Sequence, residues 1–124
     1  DWVLRTIPTM GAGWCPPGLI GIGVGGTAEK AMLLAKQSLM DPVDITEISE
    51  KSNPTNIEKL RLDLFSKIND LGIGAQGLGG LTTVLDVKIK DYPTHAASQP
   101  IAMIPNCAAT RHLHFSIDGS GVAE

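Results

Sequence analysis

Cys15, Cys107 and His95 are the side chains of this sequence best suited to chemistry, and neither cysteine has a second cysteine close by. The cysteines lie far apart in similar settings, Trp14-Cys15-Pro16-Pro17 and Pro105-Asn106-Cys107-Ala108. Zinc would have to be assembled from Cys107 with His112 or His114, at a spacing that is not standard. A disulfide is open on count alone, although nothing suggests secretion. Two small buried residues would be the common fate of lone cysteines. Against that, both stand in stiff, proline-containing turns and not on the apolar face of a regular element. Widely spaced ligands of one cluster or metal are held in this way. Two thiolates alone hold an iron–sulfur cluster poorly, so at least one further ligand has to come from elsewhere.

His95 belongs to the stretch Tyr92-Pro93-Thr94-His95-Ala96-Ala97-Ser98-Gln99-Pro100, among small residues on a loop, with Thr94 and Ser98 placed to orient it. Serine hydrolysis fits poorly, because no Gly-x-Ser-x-Gly elbow runs into a helix. Arg111, near Cys107 in sequence, could pair with a carboxylate of substrate or protein. His112 and His114 point outwards from a predicted strand, towards solvent or a subunit interface. The turn Gly21-Ile22-Gly23-Val24-Gly25-Gly26-Thr27 runs into a helix, whose first amides suit phosphate or carboxylate oxygens. As a dinucleotide fingerprint it is weak, since its glycines lie inside the strand and no lysine stands in the phosphate-loop position. Glycines that let a strand pack closely are the favoured interpretation. A non-catalytic anion-binding or scaffold module, using Gly23 to Thr27, is the alternative in another class.

The elements that must position these residues are legible in outline. Residues 1 to 18 hold little periodicity. Leu19 to Val24 alternates apolar residues with glycine, as in a buried strand approached by another backbone. Thr27 can cap a helix running to about Met40, with Ala28, Ala31, Met32, Ala35 and Leu39 as its apolar face. A polar connector from Val43 to Asn53 has room for one helical turn at Ile45 to Ser49. Thr55 with Glu58 forms a capping box for a helix over about 55 to 71, and Gly72 turns the chain left-handed behind it. The glycines of 72–80 suggest a packed loop that buries Ile73 and Leu78. Strands are predicted within Leu81 to Lys90, with Asp86, Lys88 and Lys90 on a wet face, then at Ile101 to Ile104 and at Leu113 to Ile117. Helices on a mixed sheet, an α/β fold, accommodate this order.

Length and charge narrow the choice of function. A chain of 124 residues makes one domain with one core. A formal charge of −3 without any basic run argues against nucleic acid. Glycine and proline break every apolar run well short of the roughly 18 residues a membrane span needs, and no leader opens the chain. A soluble protein is expected. With Asp1 first and a turn-like Asp118-Gly119-Ser120-Gly121 near its end, the sequence reads as an excerpt of something longer.

Five strings carry a specific likeness: Cys15-Pro16-Pro17, GIGVGGTAEK from Gly21, LGIGAQGLGGLTTVLDVKIK from Leu71, YPTHAAS from Tyr92 and MIPNCAATRH from Met103. Together they resemble the class I, iron–sulfur-dependent fumarate hydratases and the L-tartrate dehydratase alpha subunits, over nearly the whole chain. The resemblance implies that residues 1–124 are the central part of an N-terminal cluster-binding domain. The implied enzyme is cytoplasmic and hydrates fumarate reversibly to malate, with L-tartrate dehydration as the alternative. A 4Fe-4S cluster held by three cysteines would leave one iron for substrate. Cys15 and Cys107 match two of those ligands; the third belongs to a Cys-Gln-Asp-Thr-Gly motif that this sequence lacks. His95 matches the family's substrate-binding histidine. The implied partners are a small dicarboxylate, the remainder of the enzyme or a beta subunit, and further copies in a homo-oligomer. Acid–base residues of the family find no match here, so the chain by itself is expected to be inactive.

Overall fold

The computed structural model describes residues 1–109 and 115–121. Its elements in chain order are α1 (Trp2–Thr9), β1 (Gly18–Gly25), α2 (Ala28–Ser38), α3 (Ile45–Ser49), α4 (Asn56–Asn69), a 3-10 turn (Ala75–Gly77), β2 (Val84–Tyr92) and β3 (Ile101–Cys107). β1 is the central strand, parallel to β2 on one side and antiparallel to β3 on the other. The expected α/β architecture with a mixed sheet is therefore present. No helix among the described residues is long and apolar enough to cross a membrane.

Alternation along β1 decides what covers each face. Ile20 and Ile22, beside Val87 and Ile89 of β2, form one core with Val3 and Ile7 of α1 and Leu64 and Ile68 of α4. On the opposite face Gly21 and Gly23 admit α2 so closely that a Cβ at either would overlap a helix carbonyl, Ala35 O or Ala31 O. These glycines serve packing, as favoured from sequence. α2 starts at its predicted cap, the Thr27 hydroxyl accepting from the Lys30 N–H. α4 starts with the predicted capping box, Thr55 and Glu58 each accepting a backbone N–H of the other. Hydrogen bonds from Lys51 and the Thr55 amide hold the Glu58 carboxyl down to about 2. Gly72, with φ 66°, makes the left-handed exit.

Several expectations are corrected. Residues 2–9 form a helix, because Val3 and Ile7, one turn apart, both bury against the sheet. Two buried positions and an internal Pro8 are too little to register as periodicity. Met32 is exposed; Ala31, Leu34, Ala35 and Ser38 are the buried face of α2. The supposed wet face of β2 is dry at Asp86 and Lys88, 4% and 6% exposed, because Arg61 and the connector before α3 close over them. Leu78 is 89% exposed, so the glycine loop is ordered by backbone hydrogen bonds and not by burying that leucine. Of the strand expected at Leu113 to Ile117, Leu113 and His114 lie outside the described residues, while 115–117 carry no strand and Phe115 and Ile117 are exposed.

Candidate functional site

Sheet register brings the two cysteines to one end of the molecule. Gly18, the first residue of β1, pairs directly with Cys107, the last of β3, and Cys15 stands three residues before Gly18. Both are free thiols, Cys15 exposed and Cys107 partly so. Cys15 adopts a left-handed backbone, φ 58°, fixed by its N–H donating to Ala12 O at 3.0 Å. Pro16 behind it is fully buried, is joined to Pro17 by a cis peptide bond, and accepts the Gln76 N–H on its carbonyl at 2.6 Å. The glycine loop holding Gln76 is tied in turn: Gly74 N–H donates to the buried Thr83 hydroxyl, and Asn69 at the end of α4 accepts from Thr83 and Val84. On the other side, Cys107 Sγ accepts from Ala109 N–H at 3.4 Å. The cysteine end is thus a pair of accessible thiols on braced backbone.

This donor set is suited to part of a metal centre. Soft thiolates select iron–sulfur clusters, zinc or copper. Among the described residues no group of three or more His, Cys, Asp or Glu could hold an ion. The indole N–H of Trp14, buried beside Cys15, has no acceptor among the described residues, so an acceptor at this end would find a donor.

His95 lies elsewhere. The loop after β2 returns to the opposite end of β1, where Gly25 N–H donates to Pro100 O and the Thr94 hydroxyl donates to Gly26 O. Eight residues of β1 separate the two ends, about 23 Å at the usual rise of a strand. His95 is exposed in a cleft of about 760 Å³ lined also by Thr27, Lys30, Tyr92 and Ser98. Its Nδ1 accepts the Ala97 N–H at 3.1 Å, so a neutral ring carries its proton on Nε2. Backbone therefore orients the ring, in place of the Thr94 and Ser98 hydroxyls expected to do so. Lys30 Nζ sits 4.8 Å from the centre of the Tyr92 ring, adding a cation to the cleft. Arg111 and His112 lie outside the described residues. One site joining the cysteines and His95 of the same chain is thus not what the fold builds. Sequence reasoning also missed Gln76, whose only signal was a long side chain standing in a run of glycines.

The class that the fold defines is an α/β domain, with two free thiols at one end of its mixed sheet and an exposed, histidine-bearing cleft at the other. The chain belongs to the fumarate hydratase (Fumerase) family, whose model matches residues 1–116. It is 44% identical over 111 residues to a putative L(+)-tartrate dehydratase subunit alpha of Methanocaldococcus jannaschii, covering 90% of this chain and 37% of that protein. It is 34% identical over 110 residues to the L(+)-tartrate dehydratase subunit alpha of Escherichia coli K12, covering 89% of this chain and 35% of the other. The chain thus spans little more than a third of the length of these relatives.

Proposed function

We propose that this chain is the central part of the cluster-binding domain of a hydro-lyase, which adds water to fumarate to give malate and reverses the reaction. The observation that carries the proposal is the pairing of Gly18 with Cys107, which sets both free thiols at one end of the sheet. Cys15 and Cys107, as thiolates, are two of three ligands to a 4Fe-4S cluster. When bound, such a group supplies a Lewis-acidic iron for the hydroxyl and carboxylate of the substrate. Anaerobic reconstitution of the complete enzyme should give an oxygen-sensitive cluster that is lost in both Cys15→Ser and Cys107→Ser. A cluster unaffected by either change sinks the proposal. Relatives named as tartrate dehydratase subunits favour L-tartrate as a second substrate and a beta subunit as partner. Side-by-side rates on fumarate and L-tartrate decide between the substrates.

His95 is the carboxylate contact of this reading, donating from Nε2. Within one chain it lies at the opposite end of β1 from the cysteines, and the strand alone spans about 23 Å, much further than a four-carbon dicarboxylate reaches. The assembly required is a homo-oligomer in which the His95 cleft of one copy serves the cysteine end of another. Cys15→Ser and His95→Ala should each abolish activity alone. Mixed in one oligomer they should regain about a quarter of the wild-type rate, as expected for a randomly mixed twofold dimer. Mixtures that stay inactive would remove His95 from the neighbour's site.

A further inference from the structure

Among the described residues the sheet ends at β3, and no described strand pairs with its far side. The donation of Gly25 N–H to Pro100 O sets the phase of the β1–β3 ladder. Bonded and non-bonded pairs alternate in an antiparallel ladder, so Val24–Ile101, Ile22–Met103, Ile20–Pro105 and Gly18–Cys107 are the non-bonded ones. The N–H and C=O groups of Ile101, Met103 and Cys107, and the Pro105 carbonyl, therefore point away from β1. Pro105 is tolerated because β1 asks no N–H of that position. Open edges are ordinarily blunted by charge or a bulge. From Ile101 to Cys107 there is neither a charged side chain nor a shift of register. Apolar surface flanks the edge, since Ile101 shares a groove with Trp2 and Leu60, the three being 42%, 43% and 41% exposed.

We propose that β3 pairs edge to edge with β3 of a second copy, antiparallel about a twofold axis at Ile104, so that one sheet runs through the dimer. This register sets Ile101 opposite Cys107 and Met103 opposite Pro105 of the second copy. It uses the whole strand and makes about six inter-strand hydrogen bonds, against about four for an axis at Met103, where the missing N–H of Pro105 and the shorter overlap both tell. No charge meets its own image across the axis. The occupant is a second copy because antiparallel pairing brings the Cys107 end of each β3 beside the Ile101 end of the other, and that end adjoins the loop carrying His95. The two ends that one chain holds apart thus meet across the axis. This choice of occupant rests on the shared site proposed above.

The test is a disulfide in the complete enzyme. Ile104 would face Ile104 of the second copy as a non-bonded pair, with Cα atoms about 4.5 Å apart, inside the span of a disulfide. Ile104→Cys, purified metal-free and oxidised with copper–phenanthroline, should run as a linked dimer, and peptide mapping should find position 104 bridged to position 104. Ala102→Cys, set opposite Asn106 by the register, should give about tenfold less bridge to itself. The unaltered enzyme supplies a second measurement: hydrogen exchange at the Ile101 and Met103 amides should be slowed about a hundredfold relative to a free peptide of the same sequence. Unprotected amides or a missing 104–104 bridge overturn the proposal, and slow exchange without the bridge assigns the edge to another segment of the polypeptide. Both measurements need no cluster, so they decide the pairing even where the hydro-lyase reading fails. A bridged dimer whose mixture of Cys15→Ser and His95→Ala stays inactive would remove the shared site and leave the pairing standing.

Discussion

Asp86→Ala should destabilise the protein by about 3–5 kcal/mol, a large part of the roughly 5–15 kcal/mol that holds a domain of this size together. Among the described residues Asp86 is the only carboxylate paired with two buried cations: Arg61 Nη2 at 3.2 Å and Lys88 Nζ at 3.3 Å, all three residues being no more than 6% exposed. Its Oδ2 also accepts the Ile45 N–H at the start of α3, at 3.0 Å. Removing the carboxylate would leave two like charges facing each other away from water, together with an orphaned amide. Both cations also hold the connector, Arg61 and Lys88 donating to Val43 O and Lys88 to Asp41 O, so their separation would lift the connector off β2. Urea unfolding followed by circular dichroism measures the loss. An Asp86→Ala midpoint that implies a change under about 1 kcal/mol would mean that water reaches the two cations and the cluster is not the closed unit described. Arg61→Met with Lys88→Met in the Asp86→Ala background should recover much of the loss, because buried charge without a partner, and not lost volume, is its source.

That cluster also marks where the sequence could not be read. Leu85, Val87 and Ile89 alternate with Asp86 and Lys88, but the irregular register between Gly18 and Leu19 exposes Leu85 and puts Val84 in the core with Val87 and Ile89. Nor does period two tell whether a face is covered. The cover comes from Arg61 and the connector, 25 and some 45 residues away in sequence. Features encoded within a few residues were legible: the Thr55–Glu58 box, the Thr27 cap, Gly72, and the strand whose glycines admit a helix. Those settled by distant partners were not, among them α1, held by two residues against the sheet, and the exposure of Leu78. The candidate site follows the same division. Cys15 stood out for its stiff proline turn, whereas Cys107, expected in a similar turn, is the last residue of β3, and antiparallel pairing of β1 with β3 brings the two together. His95 precedes Cys107 by only twelve residues, yet the two lie at opposite ends of the sheet. Six of the residues between, with Cys107 itself, form β3, and an extended strand of that length carries its two ends to opposite poles.

With Cys15 and Cys107 as ligands of the cluster proposed above, Gly18→Ala should cost the enzyme that cluster while leaving a folded protein. Gly18 has no left-handed backbone to protect; what it lacks is room. An added Cβ would overlap the Asn106 carbonyl and lie 3.0 Å from the Trp14 ring. Both obstacles belong to the site: Asn106 precedes Cys107, and Trp14 precedes Cys15. Relief of the overlap must push β3 away from β1 at the one register position that joins the cysteines, Gly18 with Cys107. Overpacking of this kind costs about 1–3 kcal/mol, which a stable domain survives. Metal ligands tolerate much less, since a working site holds its groups within about 0.5 Å of their productive positions. After anaerobic reconstitution, iron and sulfide per chain should therefore fall to about a tenth of wild type or lower, with the circular dichroism spectrum retained. Gly23→Ala is the control. It lies on the same strand, and its Cβ would overlap the Ala31 carbonyl at the far end of the sheet. It should lose at least as much stability, yet whatever fraction folds should bind a full complement of iron. Equal iron loss in the two variants would show that general destabilisation empties the site, and that the Gly18–Cys107 pairing has no special hold on the spacing of the thiols.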